Sequence, residues 1–192
     1  MLAAIFNATL RILTFRAGPQ DFPYDPKLTA PLALAAAAAT GLQGLQSVSL
    51  PAAVLSSIIA IAVMGLVTRA VLNMRQLESR FHQTFCALLA TTAVLTLLFV
   101  PFFAQIVPVL HQAEANPEIF QDPVKLQAMD LPLGSFFMMF VIWLWSFSVT
   151  IWIYKQALNS SVFLAVVVTL AVGLMMQVFA GSVAALLSGK PA

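Results

Sequence analysis

The sequence predicts an all-α, polytopic transmembrane bundle of about five spans led by an N-terminal interfacial amphipathic helix, and three observations predict it. The chain is 61% hydrophobic and 8% charged, where a water-facing domain carries about 25% charge. Its mean hydropathy is +0.96, and long apolar segments alternate with short polar ones. Its basic residues fall on alternate connections, as the positive-inside rule requires of a chain crossing a bilayer repeatedly.

Residues 1–27 form the lead. Leu2, Ile5, Phe6, Leu10, Ile12, Leu13 and Phe15 are interleaved with Arg11 and Arg16. The stretch is too short to span and too apolar for free solution, so it suits a helix lying on the bilayer surface. It lacks a basic n-region and a small-residue cleavage site, and is expected to stay on the protein. Gly18-Pro19 ends it, and Pro23, Pro26, Asp21 and Asp25 supply turn chemistry up to Lys27.

The five spans fall within residues 28–187, at about 28–45, 51–72, 84–110, 133–154 and 160–187. The first is alanine-rich and the least hydrophobic. Ala33, Ala37 and Gly41 recur every four residues, giving a flat face that another helix can approach closely. The second begins with Pro51 in a first turn, where the missing N–H costs nothing. Ser57 and Gly65 mark a second small-residue face on it. The third contains Pro101, which removes a hydrogen bond and crowds the carbonyl four residues back, and is therefore the expected hinge. Residues 111–132 form an acidic loop with Glu114, Glu118, Asp122 and Asp130 against Lys125. Phe120 and Leu126 stand among those acids as exposed apolar positions on which a soluble extracytoplasmic partner could dock. Lys155–Asn159 is short enough to force the last two spans into an antiparallel hairpin.

Orientation follows from charge. With the N-terminus inside, cytoplasmic segments hold Arg11, Arg16, Lys27, Arg69, Arg75, Arg80 and Lys155, leaving only Lys125 and Lys190 outside. Without the alanine-rich span that asymmetry disappears, an independent argument that it crosses.

Several chemistries are disfavoured. A net charge of +2 is too small for a nucleic-acid binder. No charged residue lies between Phe85 and Leu110, between Leu131 and Tyr154, or between Gln156 and Gly189. Proton relays and ion-coupled pumps place ionisable groups at depth, and here there are none to use. His82 and His111 bracket the third span ~40 Å apart and cannot share a metal. Cys86 is the only cysteine, neither half of an internal disulfide nor a zinc site, and reads as a small buried hydrophobe. No catalytic, cofactor or metal residues are assigned, and no enzyme activity is expected. In the fifth span Ala165, Thr169, Gly173, Gln177, Gly181 and Ala185 form a stripe at four-residue spacing, a close-packing face with Gln177 bonding across it. The fourth span is aromatic, with Trp143 and Trp145 deep and Trp152 and Tyr154 near an end. These rings suit packing and the interfacial belts.

The layout resembles the Yip1-type membrane family. The elements that carry the resemblance are the lead Leu10-Arg-Ile-Leu-Thr-Phe-Arg-Ala-Gly-Pro-Gln-Asp, five spans with a proline in the third, and Trp152-Ile-Tyr-Lys-Gln-Ala-Leu-Asn before a long apolar helix. It covers about residues 8–187, and Thr91-Thr92 stands where the family commonly has Gly-Tyr. The resemblance implies a non-enzymatic membrane protein; eukaryotic relatives are linked to vesicle trafficking. The short loops and Ala/Leu-rich spans suggest a bacterial cytoplasmic membrane. The expectation is a membrane scaffold or accessory subunit that packs, through Ala37, Gly41, Gly65, Gly173, Gln177 and Gly181, against other membrane proteins or further copies of itself, with lipids around it. The alternative is a permease or channel-like subunit for an uncharged or apolar solute, with Pro101 as hinge and Gln105 or Gln177 as lining.

Overall fold

The computed structural model describes residues 1–115 and 131–188 of the chain. Within them are six α-helices: α1 (Leu2–Leu13), α2 (Thr29–Gly44), α3 (Leu50–Met74), α4 (Phe81–Ala115), α5 (Leu133–Leu158) and α6 (Val162–Ser188). Single 3-10 turns at Pro19–Asp21, Pro26–Leu28 and Glu78–Arg80 shape the connections. Four helices, α3 to α6, are long and apolar enough to cross a membrane. Each is apolar all round and leaves large side chains such as Leu66, Leu97, Phe137 and Leu174 exposed, the kind of surface that suits lipid rather than water.

The alanine-rich segment is the exception. At 16 residues α2 is ~24 Å long, short of the ~30 Å hydrocarbon core. Asp25-Pro26 begins the chain's turn late, and the turns over residues 45–48 before Pro51 end the helix early. α4, conversely, runs past the expected boundary at residue 110 to Ala115, continuous through Pro101 and Pro108. The segment read as a loop from residue 111 therefore begins as helix.

Helices α2, α3, α6, α5 and α4 form a closed ring in that order, each packed on the next. α2 and α4 run parallel. Thr29 meets His82 at one end (3.1 Å) and Gln46 reaches the Val100 carbonyl at the other (3.4 Å). α3 runs against both. A Cβ on Gly41 would lie 3.5 Å from Ser57 Oγ, and one on Gly44 would lie 3.3 Å from the Ala53 Cβ. Glycine is thus what lets α2 and α3 approach closely at this point. Gly65 is tighter, since a Cβ there would sit 3.0 Å from the Phe85 ring of α4. Ala37 is half-buried against the core, while Ala36 and Ala39 beside it are the buried alanines of α2.

The ring brings Lys27, Arg69, Arg75, Arg80 and Lys155 to one end, called here the basic end. The half of the bundle next to it is densely filled. Tyr154 and Thr68 are both fully buried and joined by a 2.7 Å hydrogen bond from α5 to α3. Phe85, Leu72, Val149 and Ile153 close around them. α1 is not a free surface helix: Ala8, Thr9, Ile12 and Leu13 are buried against the bundle, while Leu2, Phe6 and Leu10 face outward.

Two outcomes follow from this packing. Thr68→Val strands the buried Tyr154 hydroxyl and should cost about 1–3 kcal/mol, whereas adding Tyr154→Phe should restore most of it, since an apolar pair leaves nothing unpaired. Thermal melts of the purified variants in detergent check the order; a double variant less stable than Thr68→Val overturns it. Gly65→Leu should lower stability by about 1–3 kcal/mol through overpacking on Phe85. Gly173→Leu should change the monomer little, because a Cβ there meets nothing within 4 Å.

Candidate functional site

The polar side chains that the basic half does not use gather at the opposite end. Where α2 turns into α3, Thr40, Gln43, Gly44, Ser47 and Val48 face Ser56 and Ala60 of α3, Phe103 of α4, and Met176, Gln177, Ala180 and Gly181 of α6. They enclose an open cleft of about 340 Å³, at the small end of the ~300–1,000 Å³ range of ligand pockets. A second space of about 160 Å³, lined by Thr96, Phe99, Ile142, Trp143 and Ser146, lies on the other side of α2, and Gln43 borders both.

The lining carries no formal charge. The hydroxyls of Thr40, Ser47 and Ser56 give their protons to carbonyls of their own segments, at Ala36, Gly44 and Ala53. That leaves oxygen lone pairs facing the space. Gln43 and Gln177 have no hydrogen-bond partner among the described residues, so each offers a whole amide, two donors and an acceptor. Nearby, Gln46 Oε1 is buried without a partner and its Nε2 makes only the long bond to Val100. Such a surface can hydrogen-bond an uncharged polar group while Val48, Phe103 and Met176 cover an apolar body.

Several expectations are corrected here. Gln177 does not bond across a packed helix face; it is exposed on the cleft. Gly173 is likewise exposed with open space before it, and the only atom near a Cβ on Gly181 is Gln177 Nε2 at 3.8 Å. Among the described residues, Gly173 and Gln177 of the α6 stripe are therefore unpacked, whereas Ala165 and Thr169 are buried. Gln105 does not line the cleft. It accepts from Ser135 Oγ at 2.7 Å and ties α4 to α5. Phe120 and Leu126 lie outside the described residues. Among the described residues no three His, Cys, Asp or Glu side chains gather where an ion could be held.

Sequence reasoning missed Gln43 and Ser47. Their signal was present: Thr40, Gln43 and Ser47 recur at helical spacing, one polar face on the least hydrophobic span. It also missed the work of the tryptophans. Trp145 donates to the Leu13 carbonyl (2.9 Å) and Trp152 to that of Ala17 (2.8 Å), fastening the lead to α5. His82 donates to the Asp25 carbonyl (2.8 Å) and takes the Thr29 hydroxyl on its other nitrogen. Gln83 donates to the carbonyls of Gln20 and Phe22.

Comparison with family models, with curated proteins and with solved structures finds no match. The resemblance to the Yip1-type family thus gains no support, and the functional reading rests on the geometry alone.

Because Gln177 holds nothing together, Gln177→Leu should leave the melting temperature in detergent unchanged or raised. Ser135→Ala should lower stability by about 1 kcal/mol, the net worth of its bond to Gln105. A clear loss in Gln177→Leu equal to that of Ser135→Ala would make Gln177 a structural amide.

Proposed function

We propose that this chain is a non-catalytic integral membrane protein that binds an uncharged, partly apolar solute in the α2–α3–α4–α6 cleft, as a permease or channel-like subunit. The observation that carries the reading is the pair of unpartnered amides, Gln43 and Gln177, facing one another's wall in a cleft without charge. Each amide opens onto the cleft with two donors and an acceptor unused, and a ligand that hydrogen-bonds to both supplies the partners that the described residues do not.

The membrane placement belongs to the same proposal. All five ring helices cross, α2 included, with the short α2 enclosed by α3 and α4 rather than facing lipid over its whole circumference. The basic end lies in the cytoplasm, by the positive-inside rule, and the cleft faces outward, in keeping with a bacterial cytoplasmic membrane. Beneath the cleft Ala36, Ile61, Met64, Leu89 and Val172 are buried in the core cluster, so the path is closed toward the cytoplasm in this state. Pro101 is placed to act as the hinge. It leaves the Leu97 carbonyl without its helical donor, and Phe103 on the cleft wall is two residues beyond it.

The second reading, a scaffold or accessory subunit, keeps one supporting feature. The α6 surface around Gly173 is uncovered and smooth enough for another helix to lie against.

Cysteine labelling separates the elements. In a Cys86→Ala background, Gln177→Cys should react with a membrane-impermeant maleimide added to the outside of intact spheroplasts, and Arg75→Cys only in inverted vesicles. Labelling of Gln177→Cys from the cytoplasmic side overturns the orientation. Its failure to react from either side, with Ser56→Cys equally inert, overturns the open cleft and leaves the scaffold reading.

A further inference from the structure

The basic end carries a second cavity, distinct from the cleft; its reading rests on the membrane placement proposed above and not on what the cleft binds. The turn from α3 to α4 and the turn from α5 to α6 lie side by side there. Met74, Arg75, Gln76, Leu77 and Arg80 from the first and Leu158 and Asn159 from the second enclose about 370 Å³. Four of these seven residues are Arg, Gln or Asn, and all four are exposed.

Charge decides what such a space can hold. Two helices, α3 and α5, end at this border, and each C-terminus acts like roughly half a negative charge. Three others, α2, α4 and α6, begin at the same end with the opposite sign, so the dipoles do not make it negative. The side chains then set the potential. Arg80 spends one guanidinium nitrogen on the last-turn carbonyls of α5, Ala157 at 3.0 Å and Gln156 at 3.4 Å, which fixes its position and leaves its other N–H groups free. The Arg75 side chain makes no hydrogen bond or ion pair among the described residues, and Glu78, the carboxylate on the same turn, pairs with neither arginine. The result is two arginines beside two side-chain amides, with no carboxylate paired to either arginine among the described residues.

The cavity's backbone is also held in an unusual way. Gln76 (φ 58°) and Asn159 (φ 45°) are both non-glycine residues in the left-handed region, one on each turn. Such positions are uncommon outside asparagine and persist where surrounding structure requires them. Here they bring the two turns to face a common space. Met74 beside them is 83% exposed, an apolar side chain adjoining the cations at the end of an apolar helix.

We propose that this cavity binds a phosphate-type anion supplied by the headgroup of an acidic membrane lipid. Arg75 and Arg80 take the phosphate oxygens, Gln76 and Asn159 donate to the headgroup, and Met74 lies along the first part of an acyl chain. Arginine suits this role because its planar fork matches two phosphate oxygens at once. The location suits the lipid source, since the cavity sits where α3 and α5 leave the apolar zone. Basic pockets between helices at that depth are where acidic headgroups reside.

The test uses the full-length protein in a neutral detergent, with thermal stability read against added short-chain phosphatidylglycerol, short-chain phosphatidylcholine, or inorganic phosphate. A ligand of the folded state raises the melting temperature with its concentration. Phosphatidylglycerol should stabilise the wild type and phosphatidylcholine should not. Arg75→Gln should need about tenfold more phosphatidylglycerol for the same rise, as expected for loss of a charge-assisted pair of hydrogen bonds. Arg75→Lys should fall between, and Lys27→Gln, a cation at the same end but outside the cavity, should match wild type. Asn159→Gly, which keeps the turn and removes the amide, serves as second variant should Arg75→Gln lower the melting temperature without ligand. Equal responses to the two lipids, or equal losses in Arg75→Gln and Lys27→Gln, overturn the site. Stabilisation by inorganic phosphate alone, lost in Arg75→Gln, overturns the lipid as the source of the anion.

Discussion

Five carbonyl groups outside any long helix govern how the basic half of this protein is built. Residues 14–28 are mostly irregular backbone, yet they lie against a bundle whose outer surface is apolar. Irregular backbone in such a setting must find donors within the protein. The carbonyls of Leu13, Ala17, Gln20, Phe22 and Asp25 each receive one from a side chain of α4 or α5: Trp145, Trp152, Gln83 twice, and His82. Phe22, 1% exposed, is carried into the core by the same attachment. Because the donors come from two different helices, the lead bridges α4 and α5 in addition to their direct packing.

Hydroxyl groups follow the same rule inside the helices. Thr9, Thr40, Thr84, Thr91, Thr150 and Thr169 each return a bond to the carbonyl four residues earlier, so a threonine costs the apolar interior little. Against that background the amides of Gln43 and Gln177 stand out, since neither has a partner among the described residues. Among the described residues, the polar groups buried in the basic half are met, whereas Gln43, Gln177 and the oxygen of Gln46 at the opposite end are not. A bundle selected for packing alone has no use for the second condition, which is why the cleft, rather than the small-residue faces, carries the functional reading.

Much of the fold was legible because hydropathy and length are properties of one segment at a time. The cores of α3, α4, α5 and α6 lie where the sequence places them, with ends extended by a few residues through polar turns that still hydrogen-bond as helix. What the sequence could not supply was the facing of each helix. In water a polar stripe marks the outside, but a helix apolar all round has no such mark. Gly41, Gly65 and Gly173 therefore read alike, although Ser57 and Phe85 stand over the first two and nothing stands over the third. The tryptophans were misjudged for a related reason: ring size and depth suggest a belt, while the role of Trp145 and Trp152 depends on carbonyls more than 130 residues away. The bounds of α2 lie within one residue of the sequence reading at each end.

The contrast between the two halves also bears on how the chain could move. At the basic end the lead, the Thr68–Tyr154 bond, the contact of Arg69 with Phe81 and the bonds from Arg80 to the last-turn carbonyls of α5 tie elements together across the ring. At the opposite end the ties are fewer: Ser135 to Gln105, and the long bond from Gln46 to Val100. Pro101 stands at the border between these regions, where α4 loses a backbone hydrogen bond. A bend there would carry Phe103 and the tie at Gln105 while leaving the buried residues from Thr84 to Leu95 in place. Rearrangement that keeps the basic half intact is thus confined to the walls of the cleft, and the weakest of those walls is α4, whose backbone hydrogen bonding is interrupted at Pro101.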